Sequence, residues 1–177
     1  MNVVSVKNDA LILVGNYQFA DKVKSEVLSL LKVCNTIPQN NSNVKASIHT
    51  EWDWEPDNIT FRNLKEYIRE EIEKNYQPGA SQGTRIPIRV GSFWANVYEK
   101  GDYAQPHDHK PSDFSFAYFV KSKWYDSPLV FPDSGKRIRP KEGTFVIFPS
   151  FLTHHVPKHR YNDTRITLSG NLDIPNR

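Results

Sequence analysis

Apolar residues recur at helical spacing in the first half of the chain and at alternate positions in the second. Between Phe19 and Val33, residues Phe19, Val23, Val27, Leu28, Leu30 and Leu31 fall three and four apart, which predicts an amphipathic helix. A second stripe, Phe61, Leu64, Tyr67, Ile68, Ile72 and Tyr76, predicts a helix capped by Asp57 or Asn58 and running to about Tyr76. Its opposite face, with Glu66, Arg69, Glu70, Glu71 and Lys74, reads as solvated surface. ALILV (10–14) predicts a short buried strand, and VKASIHTEWDW (44–54) has room for another. The Asn-rich stretch 34–43 and the PGASQGT stretch 78–84 predict loops.

From Ile86 onward, seven or eight short strand patterns are separated by Gly, Pro, Asp and Lys turns, with no internal repeat. Helices followed by many short strands predict a mainly β fold, a sandwich or jelly roll with N-terminal helices covering one sheet. The 177 residues fit one domain spanning 1–177. In this reading 1–85 is a helical N-terminal part packed on the sheet, and 86–177 is the jelly-roll core. Residues 77–85 would be the best cut, but the N-terminal part is too small to stand alone.

Composition narrows the class. Apolar content of 38% and charged content of 24% describe a soluble globular chain. A net charge of +3, from 23 basic and 20 acidic residues, gives no indication of nucleic-acid binding. The single cysteine, Cys34, excludes an internal disulfide and is compatible with a reducing compartment. The N-terminus lacks a signal-peptide pattern, and its ILV patch is too short to span a bilayer. The expected location is therefore cytoplasmic, without a membrane partner. Nothing in the pattern marks an oligomeric state.

The candidate chemistry begins at PHDH, residues 106–109. On a strand, His107 and His109 would share a face, about 7 Å apart, with Asp108 opposite. Such a pair can reach one metal ion if another strand supplies a third ligand. THHV (153–156) offers His154 or His155, at most one of them on the right face. Farther on, TRITLSGN (164–171) places Arg165, Thr167 and Ser169 on one face. An arginine inside a barrel is costly unless an anion meets it, and guanidinium holds a carboxylate in a two-pronged fork. Asn96 and Tyr98 share a face of another strand and could meet the same small acid. Each of these residues also has an ordinary reading: incidental histidines, a surface ion pair for Arg165, and sheet residues with polar tips in solvent. Trp52, Trp54, Trp94, Trp124 and Tyr125 are candidates for a substrate entrance or for packing.

Taken in order, these motifs resemble the iron(II)- and 2-oxoglutarate-dependent oxygenases. The matching residues are Asn96–Tyr98, Gly101, PHDH, KPSDFSFAYFV, SPLVF (127–131), GTFVIFPSFLTHHV (143–156) and RITLSGN (165–171). The subgroup most resembled is that of small bacterial and phage oxygenases, and the likeness covers about residues 90–172. It implies a double-stranded β-helix, the jelly roll with N-terminal helices on its major sheet. It also implies Fe(II), 2-oxoglutarate as cosubstrate and O2, with release of succinate and CO2 and, usually, hydroxylation of a substrate. Carried over by position, His107 and His154 are metal ligands. Arg165 binds the distal carboxylate of 2-oxoglutarate, with Thr167 as hydroxyl helper, and Asn96 and Tyr98 touch the same molecule. No catalytic residue beyond the metal ligands is implied.

The departure lies at residue 109. The family places Asp or Glu there, and this chain has His109. A three-histidine site lacks one negative charge beside the metal. Asp108, if a bulge turned it inward, and Asp113 are the carboxylate alternatives. Rival readings are a cupin-like metal-binding protein or isomerase that ignores 2-oxoglutarate, and a non-catalytic interaction module. A zinc hydrolase fits less well, because only Asp108 and Asp113 are near enough in sequence to serve as base. The substrate is not legible.

Overall fold

The computed structural model describes residues 10–38, 42–54, 57–76 and 87–175. The expected loop at 78–84 and the cut at 77–85 lie outside them. Eleven strands and two helices follow in the order β1 (Leu13–Asn16), α1 (Ala20–Leu30), β2 (Val44–Lys45), β3 (Ile48–His49), α2 (Ile59–Asn75), β4 (Arg89–Tyr98), β5 (Tyr103–His107), β6 (Phe114–Lys121), β7 (Leu129–Phe131), β8 (Lys136–Ile138), β9 (Thr144–Pro149), β10 (His154–Val156) and β11 (Arg165–Asp173). The eight strands from β4 onward form the jelly roll that the alternating pattern predicts.

They split between two sheets. The major sheet runs β1-β9-β6-β11-β4-β3 and the minor sheet β2-β5-β10-β7-β8. Every strand-to-strand ladder is antiparallel. This is a double-stranded β-helix, mainly β with N-terminal helices, as the sequence leads one to expect. The N-terminal part does more than cover a face, because its short strands extend both sheets: β1 and β3 flank the major sheet and β2 flanks the minor one.

Both helices bury their apolar stripes against the major sheet. Val23 and Val27 of α1, and Phe61, Leu64, Ile68 and Ile72 of α2, share one core with Phe93, Ala95, Val97, Ile166, Leu168 and Leu172. Asn58 caps α2, its side chain accepting a hydrogen bond from the Thr60 N–H at 2.8 Å. Helix α1 is shorter than its pattern, and Phe19 and Leu28 at its margins stay exposed. The expected buried strand at 10–14 is instead an edge strand at Leu13–Asn16, with Val14 facing out. An edge strand packs on one side only, so an apolar run there need not mean full burial.

The other face of the major sheet looks into the space between the sheets. Its apolar part, Tyr98, Phe119, Val146 and Phe148, meets Ala104, Leu129, Phe131 and Val156 of the minor sheet. Beside this second core lies an unusual set of buried polar groups: His49, Asn96, Ser115, Ser150, His154, Arg165 and Thr167. Interiors seldom contain polar side chains without a purpose for them.

Candidate metal centre and anion pocket

Three imidazoles meet between the sheets. His107 ends β5 and His154 begins β10, and the two residues stand directly opposite in the antiparallel register. Their ring centres are 4.4 Å apart. His109 completes the group, 4.9 Å from His107 and 5.0 Å from His154. One ring nitrogen from each can be chosen so that all three lie within 4.8 Å of one another. Ligands on one ion with bonds of about 2.0–2.1 Å lie roughly 3–3.5 Å apart, so the three nitrogens are grouped closely enough that a small inward shift would let one ion meet them all.

Strand β5 ends at His107, and His109 lies two residues beyond it. The chain turns there, with the Ser112 N–H donating to the His109 carbonyl at 3.0 Å and the His109 N–H donating to the Ser150 carbonyl at 2.9 Å. The carboxylate alternatives are occupied elsewhere. Asp108 accepts from the Lys110 backbone and pairs with its ammonium at 2.8 Å. Asp113 accepts from the Ile174 N–H at the end of β11. Neither belongs to the three-histidine group. His155 faces the other way and pairs with Val130 of β7.

The rings of His107 and His154 are oriented by main chain. Nδ1 of His107 lies 2.6 Å from the Gln105 carbonyl, and Nδ1 of His154 lies 3.0 Å from the Leu152 carbonyl. A carbonyl only accepts, so each Nδ1 carries the proton and each Nε2 keeps a free lone pair. Metal-ligating histidines are held in this manner. Burial pulls His154 down to about 3, assisted by the His107 ring, and pulls His109 down to about 4, again with His107 adding to the effect. His107 is lowered too, chiefly by burial. All three rings are therefore neutral near pH 7, the form that binds metal.

A ladder of polar residues leads away from this group along β4 and β11. Trp94 faces Ser169, Asn96 faces Thr167 and Tyr98 faces Arg165, each pair directly opposite. Successive rungs are about 7 Å apart. Trp94 touches His109, with ring centres 5.7 Å apart. At the far rung Arg165 is only 2% exposed, and its Nε and Nη1 have no hydrogen-bond partner. Its guanidinium lies 4.8 Å from the Tyr98 ring centre and 5.5 Å from that of Phe119. Burial lowers its pKa, with Tyr98 and the buried Asp126 opposing that shift, but guanidinium stays charged at any physiological pH. A buried cation with unsatisfied donors needs an anion. The Asn96 Oδ1 is buried and unpartnered as well.

A cleft of about 400 Å³ opens beside the histidines, lined by Trp52, Trp94, Asn43, Gln105, His107 and His109 among others. Of the aromatic candidates, Trp52 and Trp94 line it. Trp54 packs on Phe61 and Phe93 in the helix-side core, and Trp124 is exposed and meets Tyr125 edge-on. Sequence reasoning missed His49, which is 1% exposed on β3 opposite Asn96, its ring wedged against Trp52 and Trp94. Its signal was weak: one histidine in a two-residue strand.

Comparison with known proteins agrees with this geometry. Residues 132–171, which include His154 and Arg165, match a family model described as "Putative 2OG-Fe(II) oxygenase". No curated protein matches the chain in sequence. Among solved structures, a viral collagen prolyl hydroxylase from Paramecium bursaria Chlorella virus-1, in complex with 2-oxoglutarate, superposes with a TM-score of 0.68 at 13% identity. That match covers 91% of this chain and 94% of the other. HygX from Streptomyces hygroscopicus, with nickel and 2-oxoglutarate bound, gives 0.67 at 11% identity over 93% and 83%. A Pseudomonas putida prolyl-4-hydroxylase gives 0.61 at 14% identity over 92% and 91%. Fold and local sequence thus both support the 2OG-Fe(II) oxygenase superfamily. None of the described helices is long and apolar enough to cross a membrane.

Proposed function

We propose that the protein is an Fe(II)- and 2-oxoglutarate-dependent dioxygenase that hydroxylates a still unidentified substrate. The observation that carries this reading is Arg165: a fully buried guanidinium with unpartnered N–H groups, in the same inter-sheet space as three converging neutral imidazoles. A simple metal-binding protein has no use for that arginine. A dicarboxylate that also chelates the metal would use both ends of the polar ladder.

The residues present fit the implied groups. His107, His109 and His154 would hold the metal through ring nitrogens, leaving positions for a bidentate ligand and O2. Arg165 would take the far carboxylate in a fork, with the Thr167 hydroxyl beside it. Asn96 and Tyr98, on the same rungs, would line the cosubstrate's flank. The bound metal supplies the oxidation, in which 2-oxoglutarate, O2 and a substrate C–H group give succinate, CO2 and an alcohol. The aromatic and aliphatic side chains of the inter-sheet core exclude bulk water. Trp52 and Trp94 form the cleft wall where a substrate would approach.

The absence of a carboxylate ligand favours a second reading, a metal-binding protein or isomerase of cupin type that does not turn over 2-oxoglutarate. One assay separates the two. Purified protein is incubated with Fe(II), ascorbate and 2-oxoglutarate, and succinate is measured for wild type and Arg165→Ala. Succinate from wild type and its loss in the variant are expected. Neither succinate nor 2-oxoglutarate binding from wild type would sink the oxygenase reading.

A further inference from the structure

The three histidines are not held alike. His107 and His154 sit on paired strands, and a carbonyl two residues upstream fixes each ring. His109 lies past the end of β5, and its ring makes no hydrogen bond among the described residues. Its place is set through its main chain, chiefly by the 2.9 Å bond from its N–H to the Ser150 carbonyl.

Ser150 is itself anchored. It is 0% exposed, and its N–H donates to the Asp113 carbonyl at 3.0 Å. Its hydroxyl lies 2.7 Å from that of Ser115 on β6, and the Ser115 hydroxyl donates to Asn171 Oδ1 on β11 at 2.8 Å. Ser115 has one proton to give, and Asn171 receives it. Ser150 must therefore donate to Ser115. A continuous chain of buried hydrogen bonds thus runs from the major sheet, through Asn171, Ser115 and Ser150, to the backbone of His109.

Resting on the metal-site reading above, we propose that Ser150 is a positioning residue for His109, with Ser115 and Asn171 bracing it. The two strand-borne histidines form a preset pair, and the serine chain sets the third ligand against them. Buried hydroxyls in a β core are otherwise dispensable to folding, since an apolar group of the same shape serves as well. Here the hydroxyl stands on the residue whose carbonyl accepts from the His109 N–H.

The test uses the full chain loaded with Co(II), read by metal affinity and by the paramagnetically shifted imidazole N–H resonances. Ser150→Ala is expected to weaken Co(II) binding about tenfold, the lower end of what outer-shell changes cost. The His109 resonance should move while those of His107 and His154 stay. Ser115→Ala, which keeps the Ser150 side chain but removes its acceptor and the brace to Asn171, should do the same to a smaller degree. It also serves if Ser150→Ala fails to fold. Unchanged affinity, or equal shifts of all three resonances, overturns the proposal by assigning the serines to general packing. A wild-type protein that binds no Co(II) overturns both this proposal and the metal site beneath it. Co(II) binding without 2-oxoglutarate turnover overturns only the proposed activity.

Discussion

The two faces of β11 are both buried, and they are built from opposite kinds of residue. Ile166, Leu168, Gly170 and Leu172 face the helices, whereas Arg165, Thr167 and Ser169 face the minor sheet. The helix face is stabilised by apolar burial worth about 25 cal/mol per Å². The inner face includes a guanidinium whose Nε and Nη1 donors find no partner among the described residues. One strand thus separates residues that hold the fold from residues that weaken it unless something binds. At Gly170 the close packing extends to the backbone, since a Cβ there would lie 2.7 Å from the Ser92 carbonyl oxygen.

The sharpest break of this comparison is at the centre itself. His154→Ala removes one of three candidate ligands, and metal binding and turnover should both fall by orders of magnitude while the apo fold persists. Isothermal titration with Ni(II) checks this, and retained affinity would mean the ion is held elsewhere. On the opposite face, Leu168→Ala should cost about 2–5 kcal/mol of stability, because Leu168 is fully buried among apolar neighbours. Succinate formation measured well below the lowered melting temperature should be unchanged. A turnover defect of more than a few-fold would show that the two faces are not independent.

Arg165→Ala should have the reverse signature. The affinity for 2-oxoglutarate should fall about 100-fold, roughly 3 kcal/mol, with the melting temperature of the apo protein equal to or above that of wild type. Loss of stability in proportion to loss of affinity would mean the arginine is structural.

Acid should act chiefly through the histidines of the inner face. His109 and His154 are held below the ordinary histidine value, to about 4 and about 3, mainly by burial. Between those values and about 6.5 the unfolded chain binds protons that the folded chain refuses. Stability is therefore complete above pH 6.5 and declines as pH falls, by up to about 1.4 kcal/mol per pH unit for each ring. Thermal melts of apo protein from pH 7.5 to 5 should show this slope, and His154→Gln should flatten it. A slope unaffected by that substitution would place the acid sensitivity elsewhere.

How much of this was legible follows the same division. Period-based reasoning works where a face packs against another apolar face. It found α2 with its Asn58 cap, most of α1, and the run of core strands. It also placed Arg165, Thr167, Asn96 and Tyr98 correctly with respect to face, because strand parity is local. It failed where partners are distant in sequence. The coming together of His107 and His154 depends on a register between β5 and β10 that no local pattern encodes. The Asn171–Ser115–Ser150 chain joins β11, β6 and the turn after β9 through residues that each look unremarkable. His109 lies two residues past the end of β5, where its N–H donates to the Ser150 carbonyl, a partner distant in sequence.

The smallest expected effect tests that last point. If strand alternation governed 106–109, Asp108 would point away and be irrelevant; if a bulge governed it, Asp108 would be the missing carboxylate ligand. In the structure the Asp108 carboxylate is drawn to Lys110, whose side-chain bond is the main cause of its lowered pKa. Surface pairs of this kind are screened by solvent and hold little of the fold or the site together. Asp108→Asn should therefore leave Ni(II) affinity within about twofold of wild type. His109→Asp, by contrast, would put a carboxylate at the position where the resembling family has one, and should retain metal binding with an altered Co(II) spectrum. If Asp108→Asn instead abolished binding, the carboxylate would have to leave Lys110 on metallation, and the three-histidine centre would be an apo arrangement only.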